Sequence, residues 1–189
     1  MERWWNQHFK LLINSGLSKK DLVNVVQSNK IKLREGVKGF FEILNKNNIP
    51  MIILSASGLG KDVISMILKK NKINYKNVHI VSNSFKWTKN GKAIGIKKPI
   101  IHSLNKDEAV LSKFSLYSQI QKRQNVILLG NNIEDIDMLK GLNHNNVIKV
   151  GFLNKDVEKL TNTYKKYFDM VIINDGDFKK VNQLMSELF

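Results

Sequence analysis

The sequence predicts an α/β fold, a parallel sheet covered by helices and preceded by a short helical segment. Three observations lead there. Five apolar runs follow Pro50, namely Met51–Leu54, Val78–Val81, Val126–Leu129, Val147–Val150 and Met170–Ile173, each long enough for a buried strand. Helical patterns separate them, near Lys61–Lys70, Lys106–Lys122, Ile133–Leu142, Val157–Tyr167 and Phe178–Leu188. Strand and helix in alternation mean a parallel sheet with both faces buried. The residues before Pro50 show helical spacing instead.

Taken in order, Trp4, Trp5, Phe9, Leu11 and Leu12 recur at near-helical spacing, and Ser18 with Asp21 forms a capping-box pattern ahead of Leu22, Val25 and Val26. A third helix, Gly36 to Asn45, gathers Val37, Phe40, Phe41 and Leu44 on one face, and Asn48-Ile-Pro50 stops it. The alternation after Pro50 is interrupted by SFKWTKNGKAIGI, where Asn90-Gly91 between two β-prone arms reads as a hairpin. No repeat or low-complexity linker divides the chain. The expected boundary falls near residues 31–35, leaving 1–33 as a partial helical cap and 34–189 as the α/β core.

Composition narrows the function classes. The 189 residues contain no cysteine, so a disulfide, a thiolate metal site and a cysteine nucleophile are all excluded. The opening MERWWNQHFK has no apolar signal region and no run approaches a membrane span, so a soluble, cytoplasmic protein without a membrane partner is expected. The net charge is +15 (31 Lys+Arg against 16 Asp+Glu), which raises the question of nucleic acid. The lysines are scattered, however, with little aromatic interleaving beyond Phe85–Lys86–Trp87. No specific nucleic-acid partner is expected, and a phosphate-binding cleft would gain from the same positive field.

Ligands of open α/β sheets sit outside the carboxyl ends of the strands, and three such ends are chemically rich. Met51–Leu54 runs into Ser55-Ala-Ser-Gly-Leu-Gly60, where a hydroxyl and open backbone N–H groups suit a phosphate oxygen, although small residues there also simply make a turn. His102-Ser-Leu-Asn-Lys106 follows the hairpin. A lysine at a helix start opposes the macrodipole, so Lys106 either answers an anion or reflects a lysine-rich chain. Val126–Leu129 runs into Gly130-Asn-Asn-Ile-Glu-Asp135. Asn131 and Asp135, four apart at a strand-to-helix turn, could share a hard cation with water. Asn131 could equally cap the helix beginning near Ile133, and Glu134 and Asp137 could be helix N-terminal charges or solvated surface.

A strand-end Ser, a helix-start Lys and a strand-end G-[D/N]-x-x-x-D, in that order, resemble the second, third and fourth motifs of the haloacid dehalogenase-like hydrolases. LREGVKGFFEILNKNNIPMIILSASG, VHIVSNSF, IIHSLNKDEAVL, NVILLGNNIEDIDMLKG, IKVGFLN and the Trp4-Trp5 pair resemble the cytosolic pyrimidine 5'-nucleotidase family, including its 7-methylguanosine phosphate-specific members, over nearly the whole chain. The resemblance implies a Rossmann-like sheet and Mg²⁺-dependent hydrolysis of nucleoside 5'-monophosphates through an aspartyl-phosphate. It implies that Ser55 and the Ala56 backbone hold phosphate, that His8 stands at a nucleotide contact of the cap, and that Lys106 neutralises phosphate. Asn131 and Asp135 would then be the Mg²⁺ residues, with Asp135 catalytic alongside Lys106. A monomer is expected.

Three departures stand beside it. The family's Asp-x-Asp nucleophile pair, expected upstream of Ser55, has no counterpart in these residues, so an N-terminally truncated, inactive chain without the central nucleophile strand is expected. Asp175 and Asp177 in MVIINDGDF imitate the pair, but at the position of the family's last strand, where Asp-Gly turn chemistry explains them. Asn131 replaces a metal-ligating carboxylate, and His8 a small hydroxyl residue. The alternative function is a non-catalytic nucleotide- or RNA-binding remnant of the same fold.

Overall fold

Hydrophobic spacing and cap chemistry set the opening helices. The computed structural model describes residues 1–141 and 143–189. It places α1 at Glu2–Asn14, α2 at Lys19–Gln27 and α3 at Val37–Lys46. The capping box at α2 is reciprocal: Asp21 N donates to Ser18 Oγ (3.3 Å) and Ser18 N donates to Asp21 Oδ2 (2.8 Å). Each bond satisfies a backbone donor that the first turn leaves without a helical partner.

The chain divides into two compact units, 1–33 with 41–104 and 34–40 with 105–189, so the division passes through α3. In the first, β1 (Met51–Ser55) leads through α4 (Gly60–Lys70) to β2 (Val78–Ser82), and the two strands pair in parallel from Met51↔Val78 to Ser55↔Ser82. The hairpin is β3 (Phe85–Trp87) and β4 (Ala93–Ile96), antiparallel, with Gly91 at φ +76° in the turn. Its core joins Phe9, Leu22 and Val26 of α1 and α2 to Val63, Phe85 and Ile100. Backbone bonds from Lys19 N to Gly91 O (2.9 Å) and Ala93 N to Leu17 O (2.8 Å) fasten the hairpin to the start of α2. The opening helices therefore pack against α4 and the hairpin.

The second unit holds α5 (Glu108–Leu111), α6 (Tyr117–Ile120), β5 (Asn125–Gly130), β6 (Asn146–Leu153), α7 (Val157–Tyr167), β7 (Met170–Ile173) and α8 (Lys179–Leu188). Its sheet is parallel in the order β5-β6-β7. Val150 at its centre is wholly buried, and burial of a side chain of that size stabilises the fold by roughly 1.5–3 kcal/mol. Among the described residues β1 pairs only with β2, and β5 only with β6.

Two expected helices differ. The single helix over Lys106–Lys122 is instead a 3₁₀ turn at Ser103–Asn105 followed by the two short helices α5 and α6. Between them Lys113 N and Phe114 N donate three residues back, to Val110 O and Leu111 O. Ser112, Ser115 and Ser118 lie in this stretch, and serine hydroxyls compete with helical backbone bonding; Ser118 Oγ donates to Ser115 O (3.4 Å). Lys106 consequently precedes α5 instead of opening a long helix. The expected helix Ile133–Leu142 is a 3₁₀ helix over Ile133–Leu139, and its expected end at Leu142 lies outside the described residues.

Candidate active site

In the first unit the candidate residues stand at the turn after β1. Ser55 closes the strand, and the backbone N–H groups of Ala56, Ser57 and Gly58 meet no protein acceptor among the described residues. Gly60 N donates to Ser57 Oγ at 3.1 Å, and Lys61 N to Asn83 O at 2.6 Å, which turns the chain into α4. Successive N–H groups left open at a strand-to-helix turn make a concavity suited to an anion. His8, from α1, reaches this turn: its Nε2 lies 3.4 Å from Gly58 O, so that nitrogen carries the proton and donates. A side chain at Gly58 would meet His8 Nε2 at 2.7 Å, so glycine there permits the contact. The His8 ring stacks on Trp4 with centroids 5.6 Å apart, and Trp4 stays 58% exposed.

In the second unit the candidate residues stand around the end of β5. Lys106 Nζ donates to Asp135 Oδ1 at 2.9 Å; the Asp135 side chain is buried and that of Lys106 is 12% exposed. The other carboxylate oxygen, Oδ2, accepts from Asn131 N (2.9 Å) and Asn132 N (3.0 Å). Asp135 thus holds the lysine with one oxygen and the strand-end turn with the other. Gly130 is required beside it, since a Cβ there would sit 2.8 Å from Asp135 Cβ. Asn132, not Asn131, takes the N-cap position of the 3₁₀ helix, so the capping explanation of Asn131 does not hold. Asn131 presents an exposed side chain, and its backbone carbonyl accepts from the buried Tyr164 hydroxyl at 2.7 Å. Desolvation, with Glu134 and Asp135 adding to it, pushes the Tyr164 phenol above its usual range, so it stays a donor near neutrality.

The helix-dipole argument for Lys106 is superseded by this geometry: the anion it answers within the protein is Asp135. Among the described residues one of its three ammonium hydrogens is used there, leaving two. The donor set for a divalent cation is thin. Asn131 offers one neutral oxygen, the Asp135 oxygens already accept three protein hydrogens, and among the described residues no group of three or more His, Asp or Glu stands in ligating position. A hard dication takes about six oxygen ligands and favours anionic ones, so this pair alone does not make a Mg²⁺ site.

Asp175 belongs to a turn at the end of β7. Asn174 and Asp175 both adopt φ +50°, the Asp175 carboxylate accepts from Asn154 Nδ2 (3.0 Å), and it lies 3.7 Å from Arg34. Arg34 is itself committed, donating to Gly176 O and Asn154 Oδ1 and lying over the Phe152 ring. The turn reading of Asp175 accounts for all of these bonds. Sequence reasoning missed Asn83 and Tyr164. Asn83 had a signal, a polar residue at the end of an apolar run, whereas Tyr164 sits in an ordinary amphipathic helix with nothing to mark it.

Residues 1–189 match the family model described as pyrimidine 5'-nucleotidase (UMPH-1). The chain belongs to that family. It is 36% identical to the mouse 7-methylguanosine phosphate-specific 5'-nucleotidase over 189 residues, covering the whole of this chain and 62% of the relative. It thus spans about three-fifths of the length of the curated relatives it matches. The crystal structure of cytosolic 5'-nucleotidase IIIB bound to cytidine superposes with a TM-score of 0.83 at 28% identity, covering 98% of this chain and 62% of that one. Phosphoserine phosphatase in its apo form matches with a TM-score of 0.57 at 16% identity over 89% of this chain and 74% of that one, a likeness of fold alone. The α/β architecture expected from strand–helix alternation is therefore that of the haloacid dehalogenase-type phosphatases.

Proposed function

We propose that this chain carries the phosphate-recognition part of a cytoplasmic, monomeric 5'-nucleotidase acting on a nucleoside 5'-monophosphate, with either a pyrimidine or 7-methylguanine as base. The observation that carries the reading is the Lys106–Asp135 ion pair, its carboxylate buried beside the end of β5, in a chain that matches a nucleotidase family throughout. In this reading the open N–H groups after Ser55 and the Ser55 hydroxyl hold phosphate oxygens. Lys106 supplies a fixed positive charge, oriented by Asp135 so that no reorganisation is needed when the anion arrives. His8 closes the turn from α1 and, with Trp4, offers flat surface for a base. Residues 1–33 act as part of a cap and 34–189 as the hydrolase-like core.

Hydrolysis through an aspartyl-phosphate requires a carboxylate aimed at phosphorus, and none of the residues assigned above serves. Asp135 is turned to Lys106, and Asp175 is tied into its own turn. The 189 residues by themselves are expected to bind nucleotide without releasing phosphate from cytidine or 7-methylguanosine 5'-monophosphate. Phosphate release abolished by Lys106→Ala would contradict that.

Magnesium belongs to the proposal through Asn131, whose exposed amide oxygen would be one ligand of several. Asn131→Asp adds a full negative charge at that position and is expected to tighten Mg²⁺ binding about tenfold, on the order of 1–2 kcal/mol. A magnesium titration reads this directly, and an unchanged affinity would remove Asn131 from the metal site. The RNA-binding alternative rests on the +15 charge. It calls for sub-micromolar, steeply salt-dependent affinity for single-stranded RNA at physiological ionic strength; weak binding is expected instead.

A further inference from the structure

We propose that Asn83 is a positioning residue for the turn after β1, gripping both ends of the turn so that the N–H groups of Ala56, Ser57 and Gly58 stay open to phosphate. The inference rests on the nucleotidase reading, in which that turn takes the phosphate group. Asn83 follows β2 directly and is 1% exposed, one of the few polar residues in the core. Its side-chain Nδ2 donates to Ser57 O (3.2 Å) and Ile101 O (2.9 Å), and its Oδ1 accepts from Ile101 N (2.8 Å). Its backbone carbonyl accepts from Lys61 N at 2.6 Å. Both amide hydrogens are therefore used, one on the turn and one on the segment after the hairpin.

The consequence for the turn is specific. Ser57 is held by its carbonyl and Lys61 by its N–H, four residues on, so the peptide groups between them cannot rotate freely. Gly60 closes the arrangement with φ +79°, and a Cβ there would lie 2.8 Å from Asn83 O. A left-handed residue with backbone so close accepts only glycine. A leucine at position 83 would fill a similar volume but leave Ser57 O and the backbone N and O of Ile101 without the partners that the amide gives them. What the amide supplies is a fixed direction for the Ser57 carbonyl, and through it for the N–H groups on either side. Preorganised donors bind an anion without the cost of ordering the loop.

The test is a calorimetric titration of inorganic phosphate into the 189-residue chain and its Ser55→Ala, Asn83→Ala and Gly60→Ala variants, with hydrogen exchange followed across residues 55–60. Wild-type binding that weakens in Ser55→Ala places phosphate at the turn. Asn83→Ala and Gly60→Ala are then expected to weaken phosphate about tenfold, the worth of one well-made hydrogen bond. Exchange in the turn should rise while β2 stays protected. A purely structural asparagine would lower the melting temperature and leave phosphate affinity, measured well below the melt, where it was. Folded Asn83→Ala with wild-type phosphate affinity overturns the proposal and leaves the nucleotidase reading standing. If Asn83→Ala does not fold, Gly60→Ala decides on the same criterion. Phosphate that binds the wild type not at all, or equally well in Ser55→Ala, overturns the nucleotidase reading itself and this inference with it.

Discussion

Asp135 is the residue on which the candidate site of the second unit turns. Its carboxylate accepts from one lysine and two backbone N–H groups while 3% exposed, so neither partner of the ion pair can be removed cheaply. Lys106→Ala leaves a buried carboxylate short of its countercharge, and a loss of about 3–5 kcal/mol in urea unfolding is expected. The double variant Lys106→Met with Asp135→Asn removes both charges together and should recover a good part of it, because no unpaired charge remains buried. A double variant no more stable than Lys106→Ala would show that the pair is not the source of the cost. His102 gives a pH dependence. Burial holds its imidazole below the ordinary value of 6.5, with the chain's amino terminus adding to the effect and Glu2 opposing it. A folded value below the unfolded one means the stabilisation is complete above about pH 6.5 and is lost as pH falls through the folded value. The stability of the wild type should therefore drop between neutral pH and pH 5 by more than that of His102→Gln, read from thermal melts across that range. Identical slopes would contradict it.

At the scale of elements, spacing and cap chemistry made most of the fold legible. Ser18 and Asp21 announce α2 because their side chains and backbone satisfy each other locally, with no help from the rest of the chain. Ser18→Ala should cost about 1 kcal/mol of stability, and a change within the error of a denaturant melt would mean that the hairpin bonds to Lys19 and Leu17 carry that helix start. The strands were legible for a related reason: apolar runs bounded by glycine or polar residues are hard to mistake, and each observed strand extends its predicted run by no more than a few residues. The break between α5 and α6 was not legible, because serines compete with the helical backbone only weakly and tertiary burial of Leu111, Leu116 and Ile120 decides the path. The 3₁₀ helix after β5 was hidden for the same kind of reason. Its tight winding follows from Asp135 reaching back to two N–H groups, a contact that spacing alone does not specify. The candidate site was legible where chemistry sits at a strand end, at Ser55, Asn131 and Asp135. It was not legible at Asn83 or Tyr164, whose roles lie in which backbone group they meet.

For the whole molecule, the proposal is that the chain recognises the phosphate of a nucleotide, with Lys106 and the turn after Ser55 each a candidate phosphate ligand. The +15 charge draws any anion towards the protein, so the claim needs a comparison in which the overall charge changes little. Calorimetric affinities of cytidine and 7-methylguanosine 5'-monophosphates, each set against its own nucleoside, provide it. The Lys106→Met, Asp135→Asn double variant supplies the control, since it leaves the net charge unchanged. For the wild type, at least one monophosphate should bind about tenfold or more tightly than its nucleoside, a difference of about 1.4 kcal/mol, and that increment should shrink in the double variant by the share that Lys106 supplies. Equal affinity for nucleotide and nucleoside in the wild type, or an increment undiminished in the double variant, would contradict it.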